Sequence, residues 1–134
     1  MKRKRDLRIA DYLGHMLDAI QRIETYVQTV PDEAAFLSAA IVQDAVIRNL
    51  EVVGEAANNL RNADPAFASK YPTIPWDLIY GMRNRISHGY FDINLEVVWH
   101  TVKDDLPKLH AEITVLLGLL GAGKPGPHEP PPKL

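Results

Sequence analysis

The chain contains no cysteine. Disulfides, thiolate nucleophiles and cysteine-ligated zinc are therefore excluded, and a reducing compartment suits such a sequence. It also has no apolar run of the roughly 20 residues a membrane helix needs; Val115 to Leu120 is far too short. The basic start Met1-Lys2-Arg3-Lys4-Arg5 is followed by Asp6, Arg8 and Asp11, where a signal peptide requires an apolar core. These features lead us to expect a cytoplasmic protein with no membrane partner. Nor is there a dominant charge: 15 Lys and Arg against 17 Asp and Glu leave a formal charge of −2, so no global field draws nucleic acid to the surface. The charge is uneven, with Lys2, Arg3, Lys4, Arg5 and Arg8 at one end and a smaller focus at Arg83 and Arg85. The first cluster reads as a solvated terminus, with an auxiliary role in attracting a polyanion left open.

What is present is a helical pattern in a chain of 134 residues, 46% of them hydrophobic, enough for one domain with a real core. Leu13, Leu17, Ile20, Ile23 and Val27 recur at steps of three and four and predict a first helix ended by Pro31. A second, longer helix is expected from Asp32 to Arg61, with Val42, Val46, Leu50, Val53, Ala57 and Leu60 as its stripe. Pro72 and Pro75 break the chain, and Pro75 suits the first turn of a third helix carrying Trp76, Ile79, Met82 and Arg83. A last helical region begins near Asn94 and runs through Val97, Val98, Val102, Leu106, Leu109, Ile113, Leu116 and Leu120, with Pro107 as a kink. From Gly121 the chain turns rich in glycine and proline, a composition that builds no core. The expected organisation is a helical domain over 1–120 and a disordered tail over 121–134. Gly121-Ala122-Gly123-Lys124 is not a phosphate-binding loop, because the spacing is wrong and proline follows Lys124. There is no internal repeat.

The stretch Gly81-Met82-Arg83-Asn84-Arg85-Ile86-Ser87-His88-Gly89-Tyr90 concentrates the chemistry. Histidine exchanges protons near neutral pH. Arginine is a fixed cation whose planar fork matches phosphate oxygens. Tyrosine can bond to phosphate, stack on a base or be modified. In a continuous helix Arg83 and Tyr90, seven apart, nearly share a face, whereas His88 lies roughly 140° from Arg83. One regular helix does not aim all three at one point. A helix ended at Gly89 is one solution; copies of the motif facing each other across a two-fold axis are another.

Arg83-Asn84-x3-His88-x-Tyr90 resembles the motif of the HEPN superfamily, in particular its HepT-like branch. The surroundings match as well: Tyr71-Pro72 and Ile74-Pro75-Trp76 before it, Ile93, Val97-Val98-Trp99 and Leu106-Pro107 after it, and the upstream block Ile47 to Ala56. The likeness covers roughly residues 6 to 120. It implies an all-α, HEPN-type antiparallel bundle of four to five helices, dimeric, with a composite cleft of two arginines and two histidines. It further implies a metal-independent endoribonuclease toxin without cofactor, acting on tRNA or mRNA and restrained by a minimal nucleotidyltransferase antitoxin that transfers AMP to the motif tyrosine, here Tyr90. Arg83 and His88 would be catalytic, with Asn84, Arg85, Tyr90 and Glu55 binding substrate or supporting.

Taken singly these residues have plainer readings: His88 as a helix cap, Arg83 in an interface ion pair, Tyr90 as a core aromatic with a wet hydroxyl. Asp44, Arg48, Glu51, Glu55 and Asn58 form a polar stripe on the second helix, ordinarily a solvated face with pairing of Asp44 and Arg48; Glu55 alternatively orients Arg83 or Arg85. His15, His100, His110 and His128 are scattered, and His100 with Asp104 is expected to be a solvated pair rather than two metal ligands. Trp76 and Trp99 read as core. Two other functions fit the composition: a non-catalytic nucleotide- or partner-binding subunit of a nucleotidyltransferase, and a helical oligomerisation module.

Overall fold

A computed structural model describes the backbone of residues 4–87 and 93–121 and the side chains of residues 8–82 and 93–121. Helix α1 spans Lys4–Val27, α2 Glu33–Leu37, α3 Ala40–Ala63, α4 Trp76–Ser87, α5 Leu95–His100 and α6 Leu106–Leu119. A short 3₁₀ turn, Ala68–Lys70, precedes α4, and a π-helical turn, Thr101–Asp105, joins α5 to α6 without interruption. Among the described residues every regular element is helical, as the periodicity predicts. With α5, the π turn and α6 taken as one kinked rod, the bundle has five helices.

The two longest helices form the spine. On α1, Leu13, Met16, Ile20 and Ile23 are fully buried, and on α3 Val46, Val53, Ala57 and Leu60 answer them. The expected stripes are thus the core faces, apart from Leu17 and Val42, which are only partly buried against it. Helix α6 covers the other side of α1 with Leu106, Leu109, Ile113 and Leu116. Removing such a side chain from water contributes about 1.5–3 kcal/mol each, so this seam supplies most of the force that holds the bundle.

Two helices depart from expectation. The first helix ends at Val27, before Pro31, because the chain tightens into turns from Thr29 N–H to Tyr26 O and from Val30 N–H to Val27 O, and proline disfavours helical geometry in the residue before it. The long helix expected from Asp32 to Arg61 is two helices. Asp32 does cap the start, its Oδ1 accepting from Ala35 N–H at 2.9 Å, but Ser38 and Ala39 break the run. At the corner Gln43 Nε2 donates to the Phe36 carbonyl at 2.8 Å, and Phe36 turns fully inward onto Trp99, 5.3 Å between ring centres. No glycine or proline marks this break, since burial of Phe36 and one side-chain bond create it.

At the last rod, Asn94 caps α5 as its position suggests, accepting from Glu96 and Val97 N–H at 3.0 and 3.1 Å. The kink expected at Pro107 takes the form of the wide π turn just ahead of it, closed by Leu106 N–H to Thr101 O. Proline lacks an N–H and crowds the carbonyl four residues back, and a widened turn relieves both. Helix α6 stops at Gly121, whose φ of 72° is the left-handed conformation glycine adopts without penalty. The tail beyond Gly121 lies outside the described residues.

Candidate functional site

The candidate site is built around α4. Its start follows from Pro75: Trp76 N–H turns back to Ile74 O at 2.8 Å, and Ile79 N–H bonds to Pro75 O at 3.1 Å. Trp76, Ile79 and Met82 form the buried face, at steps of three. Trp76 is further fixed by Nε1 donating to Tyr71 O at 3.1 Å and by edge contact with Phe67. Both tryptophans are therefore core residues, as expected. Arg83, Asn84 and Arg85 follow on the same helix, whose backbone is described there while their side chains are not. His88, Gly89 and Tyr90 lie outside the described residues. The packed face of α4 thus fixes where the Arg83 Cα sits, directly after the buried Met82.

Helix α4 packs along α3, and α3 carries the other candidate. Glu55 is half-buried and forms no ion pair among the described residues. In the same polar stripe Arg48 pairs with Glu51 at 3.6 Å across an exposed turn, an arrangement worth little in water. Asn58 is buried, with 9% of its surface exposed. The stripe is therefore a graded one, solvated at Arg48 and closed over at Asn58.

Sequence reasoning missed the cluster that Asn58 begins. Its Nδ2 donates to Gly54 O at 2.8 Å, and its Oδ1 accepts from Arg61 Nη2 at 2.5 Å. The guanidinium carbon of Arg61 then lies 4.1 Å from the ring centre of Tyr80, on α4. Tyr80 also stacks with Trp76, 6.2 Å between centres at 24°. The Tyr80 hydroxyl is buried with no hydrogen-bond partner among the described residues. Burial raises its pKa above 10.0; the Arg61 charge opposes this and Asp77 adds to it. The only sequence signal was the basic residue in the last turn of α3, which has no visible tie to a tyrosine on the next long helix.

On the opposite face of α4 lies a groove of about 800 Å³ between α4 and α5, floored by Leu50, Met82 and Val98 and rimmed by Asp77, Asn94 and Thr101. Leu78 and Val97, 38% and 46% exposed, also line it. Gly81 of α4 and Ile93 line it as well.

Two of the scattered histidines, His100 and His110, act as fasteners. His110 Nδ1 lies 2.8 Å from Glu24 Oε1, tying α6 to α1. His100 stands between two carboxylates, Glu33 at 3.4 Å and Asp104 at 3.6 Å. It joins α2 to the last rod on an exposed surface, in keeping with the solvated pair expected of His100 and Asp104. Among the described residues no group of histidines and carboxylates could hold a metal ion, and no helix is long and apolar enough to cross a membrane.

An all-helical bundle whose α4 carries Arg83, the first residue of the Arg-x4-His pattern, defines a class, and comparison supplies the family. The sequence profile of the ribonuclease HepT-like family matches residues 16–116. The chain belongs to that family. It is 39% identical over 106 residues to a protein named "Probable ribonuclease HepT" from Thermococcus cleftensis, covering 79% of this chain and 93% of the relative. A Methanocaldococcus jannaschii relative, whose name joins gamma-glutamylcyclotransferase to a provisional RNase, is 37% identical over 121 residues, 90% of this chain and 52% of that protein. The chain therefore spans about half of that longer relative. A Caldanaerobacter subterraneus protein provisionally named an RNase is 31% identical over 106 residues, covering 79% and 91% of the two chains. No solved structure matches the chain.

Proposed function

We propose that the protein is a metal-independent endoribonuclease of the cytoplasm, the toxin of a toxin–antitoxin pair. One observation carries the reading: the family match runs unbroken over 16–116, through both α3 and the Arg83-x4-His88-x-Tyr90 motif. The ribonuclease names of relatives from three organisms support it.

RNA carries its own nucleophile. A histidine, His88, takes the proton of a 2′-hydroxyl, and the freed oxygen attacks the adjacent phosphorus. Arg83 neutralises the charge growing on the phosphoryl oxygens. A second His88, from the other copy of a homodimer, protonates the departing 5′-oxygen. The products are a 2′,3′-cyclic phosphate and a 5′-hydroxyl, and DNA survives. Asn84 and Arg85 hold backbone phosphates, Tyr90 positions the substrate, and Glu55 orients an arginine from α3. The antitoxin is a minimal nucleotidyltransferase that transfers AMP to Tyr90, placing bulk and negative charge where RNA phosphate must sit.

The test is incubation of purified, unmodified protein with total cellular RNA in EDTA, alongside His88→Ala and Arg83→Ala. The expected result is cleavage by the wild type alone, with cyclic phosphate ends. Silence from a wild type whose Tyr90 is shown by mass to be unmodified would replace this reading with a non-catalytic, nucleotide-binding subunit.

A further inference from the structure

We infer that Arg61 is a positioning residue for the reaction: clamped by Asn58 and laid over Tyr80, it fixes the turn of α4 that carries Arg83. The inference rests on the ribonuclease reading for its kinetic consequences and on geometry alone for the clamp. Asn58 is anchored to its own helix through Gly54 O at 2.8 Å, so its side chain cannot swing. It grips Arg61 Nη2 at 2.5 Å. That leaves the guanidinium plane free to cover Tyr80, 4.1 Å from the ring centre. Trp76 stacks on the same ring. Tyr80 is thus contacted by a cation from α3 and by an indole of its own helix, and Arg83 is three residues on, less than one turn away.

The chemistry of the cluster fits a clamp better than a ligand site. Arg61 has a neutral partner in Asn58 and a ring beneath it, and no carboxylate pairs with it among the described residues. Tyr80 offers its face, and its buried hydroxyl has no partner among the described residues. A phenylalanine would serve the ring contact equally well, and this separates the ring's role from the hydroxyl's. A displacement of about 1 Å in a group that meets the phosphate costs up to ~100-fold in turnover, so a fastening less than one turn from Arg83 is felt in kcat.

The experiment pairs amide hydrogen exchange with single-turnover RNA cleavage in Arg61→Ala, Arg61→Lys, Tyr80→Leu and Tyr80→Phe. Arg61→Ala and Tyr80→Leu are expected to speed exchange in α4 by at least about threefold, the scale of a cation–π contact, while α1 stays protected. The same two variants should lose about tenfold or more in kcat with KM little changed. Arg61→Lys, which keeps a cation over the ring, should recover part of both losses, and Tyr80→Phe should match wild type in both. Unchanged α4 exchange in Arg61→Ala overturns the clamp. Faster exchange with undiminished kcat overturns its role in positioning. A raised KM alone, with a shallower salt dependence, would make Arg61 a direct phosphate contact instead. If the wild type cleaves no RNA the ribonuclease reading fails, and the exchange data still decide the clamp.

Discussion

The α1–α3 seam and the α4–α5 corner use the same residue types to opposite ends. Along the seam, two helices of 24 residues each interleave fully buried aliphatic side chains, with Asn49 and Asn58, both on α3, as the buried polar residues among those described. At the corner, a 12-residue helix and a 6-residue helix leave Leu78 and Val97 in contact with water and line an open groove, and the buried Tyr80 hydroxyl has no partner among the described residues. The seam spends its sequence on stability. The corner, which delivers Arg83, tolerates features that a purely structural element has no reason to keep. Active regions are drawn from the less stable parts of a fold for this reason.

Five substitutions, in four tests, sharpen or break that contrast. The largest effect belongs to the seam: Ile20→Ala or Leu60→Ala should cost about 2–5 kcal/mol in denaturant unfolding, with RNA cleavage intact while the protein stays folded. Loss of activity without loss of stability in these variants would erase the distinction. Next, Arg83→Ala should lower cleavage by about 10²–10³-fold, the cost of removing one donor from a developing oxyanion, with an unchanged unfolding midpoint. Third, Asn94→Ala removes the α5 cap, which accepts two N–H groups, and should cost about 1 kcal/mol, detected as early fraying of α5 by hydrogen exchange.

The smallest effect concerns pH. The Tyr80 hydroxyl ionises above 10.0 in the folded chain because burial disfavours the phenolate. The folded state therefore binds more protons than the unfolded state once pH exceeds the ordinary tyrosine value. Its contribution to stability is complete below pH 10 and declines as pH rises through the folded pKa. Tyr80→Phe should flatten the fall in unfolding midpoint between pH 9 and 11, and a wild-type slope retained in the variant would assign the fall to other groups.

Much of this was legible in the sequence because helices announce themselves by period. The stripes of α1 and α3, the Pro75 start of α4, the start of the last rod near Asn94 and the all-helical class all followed from spacing and breaker residues. The break at Ser38–Ala39 did not, because it depends on Phe36 meeting a tryptophan more than sixty positions away and not on any local breaker. The motif was readable by residue type, and its described part falls where expected, on α4 behind Met82. Arg61 over Tyr80 was invisible for the opposite reason: each residue is ordinary in its own helix, and only the packing of α3 on α4 makes them partners. His110 with Glu24, 86 positions apart, is the same lesson in a simpler pair.

The π turn at Thr101–Asp105 has a bearing on the rod's alignment. Val98, Val102 and Leu106 are all buried and recur at steps of four. In a regular helix two such steps rotate the buried edge by roughly 80° around the axis. A turn that closes on the fifth residue back takes more residues per revolution, and so winds part of that rotation back. The turn works as a phase corrector: it lets one continuous rod keep α5 facing the α4 groove and α6 facing α1. Deleting one residue from Thr101–Asp105 would leave every apolar side chain in the sequence and still rotate α6 by roughly 100°, pulling Leu109, Ile113 and Leu116 off the core together.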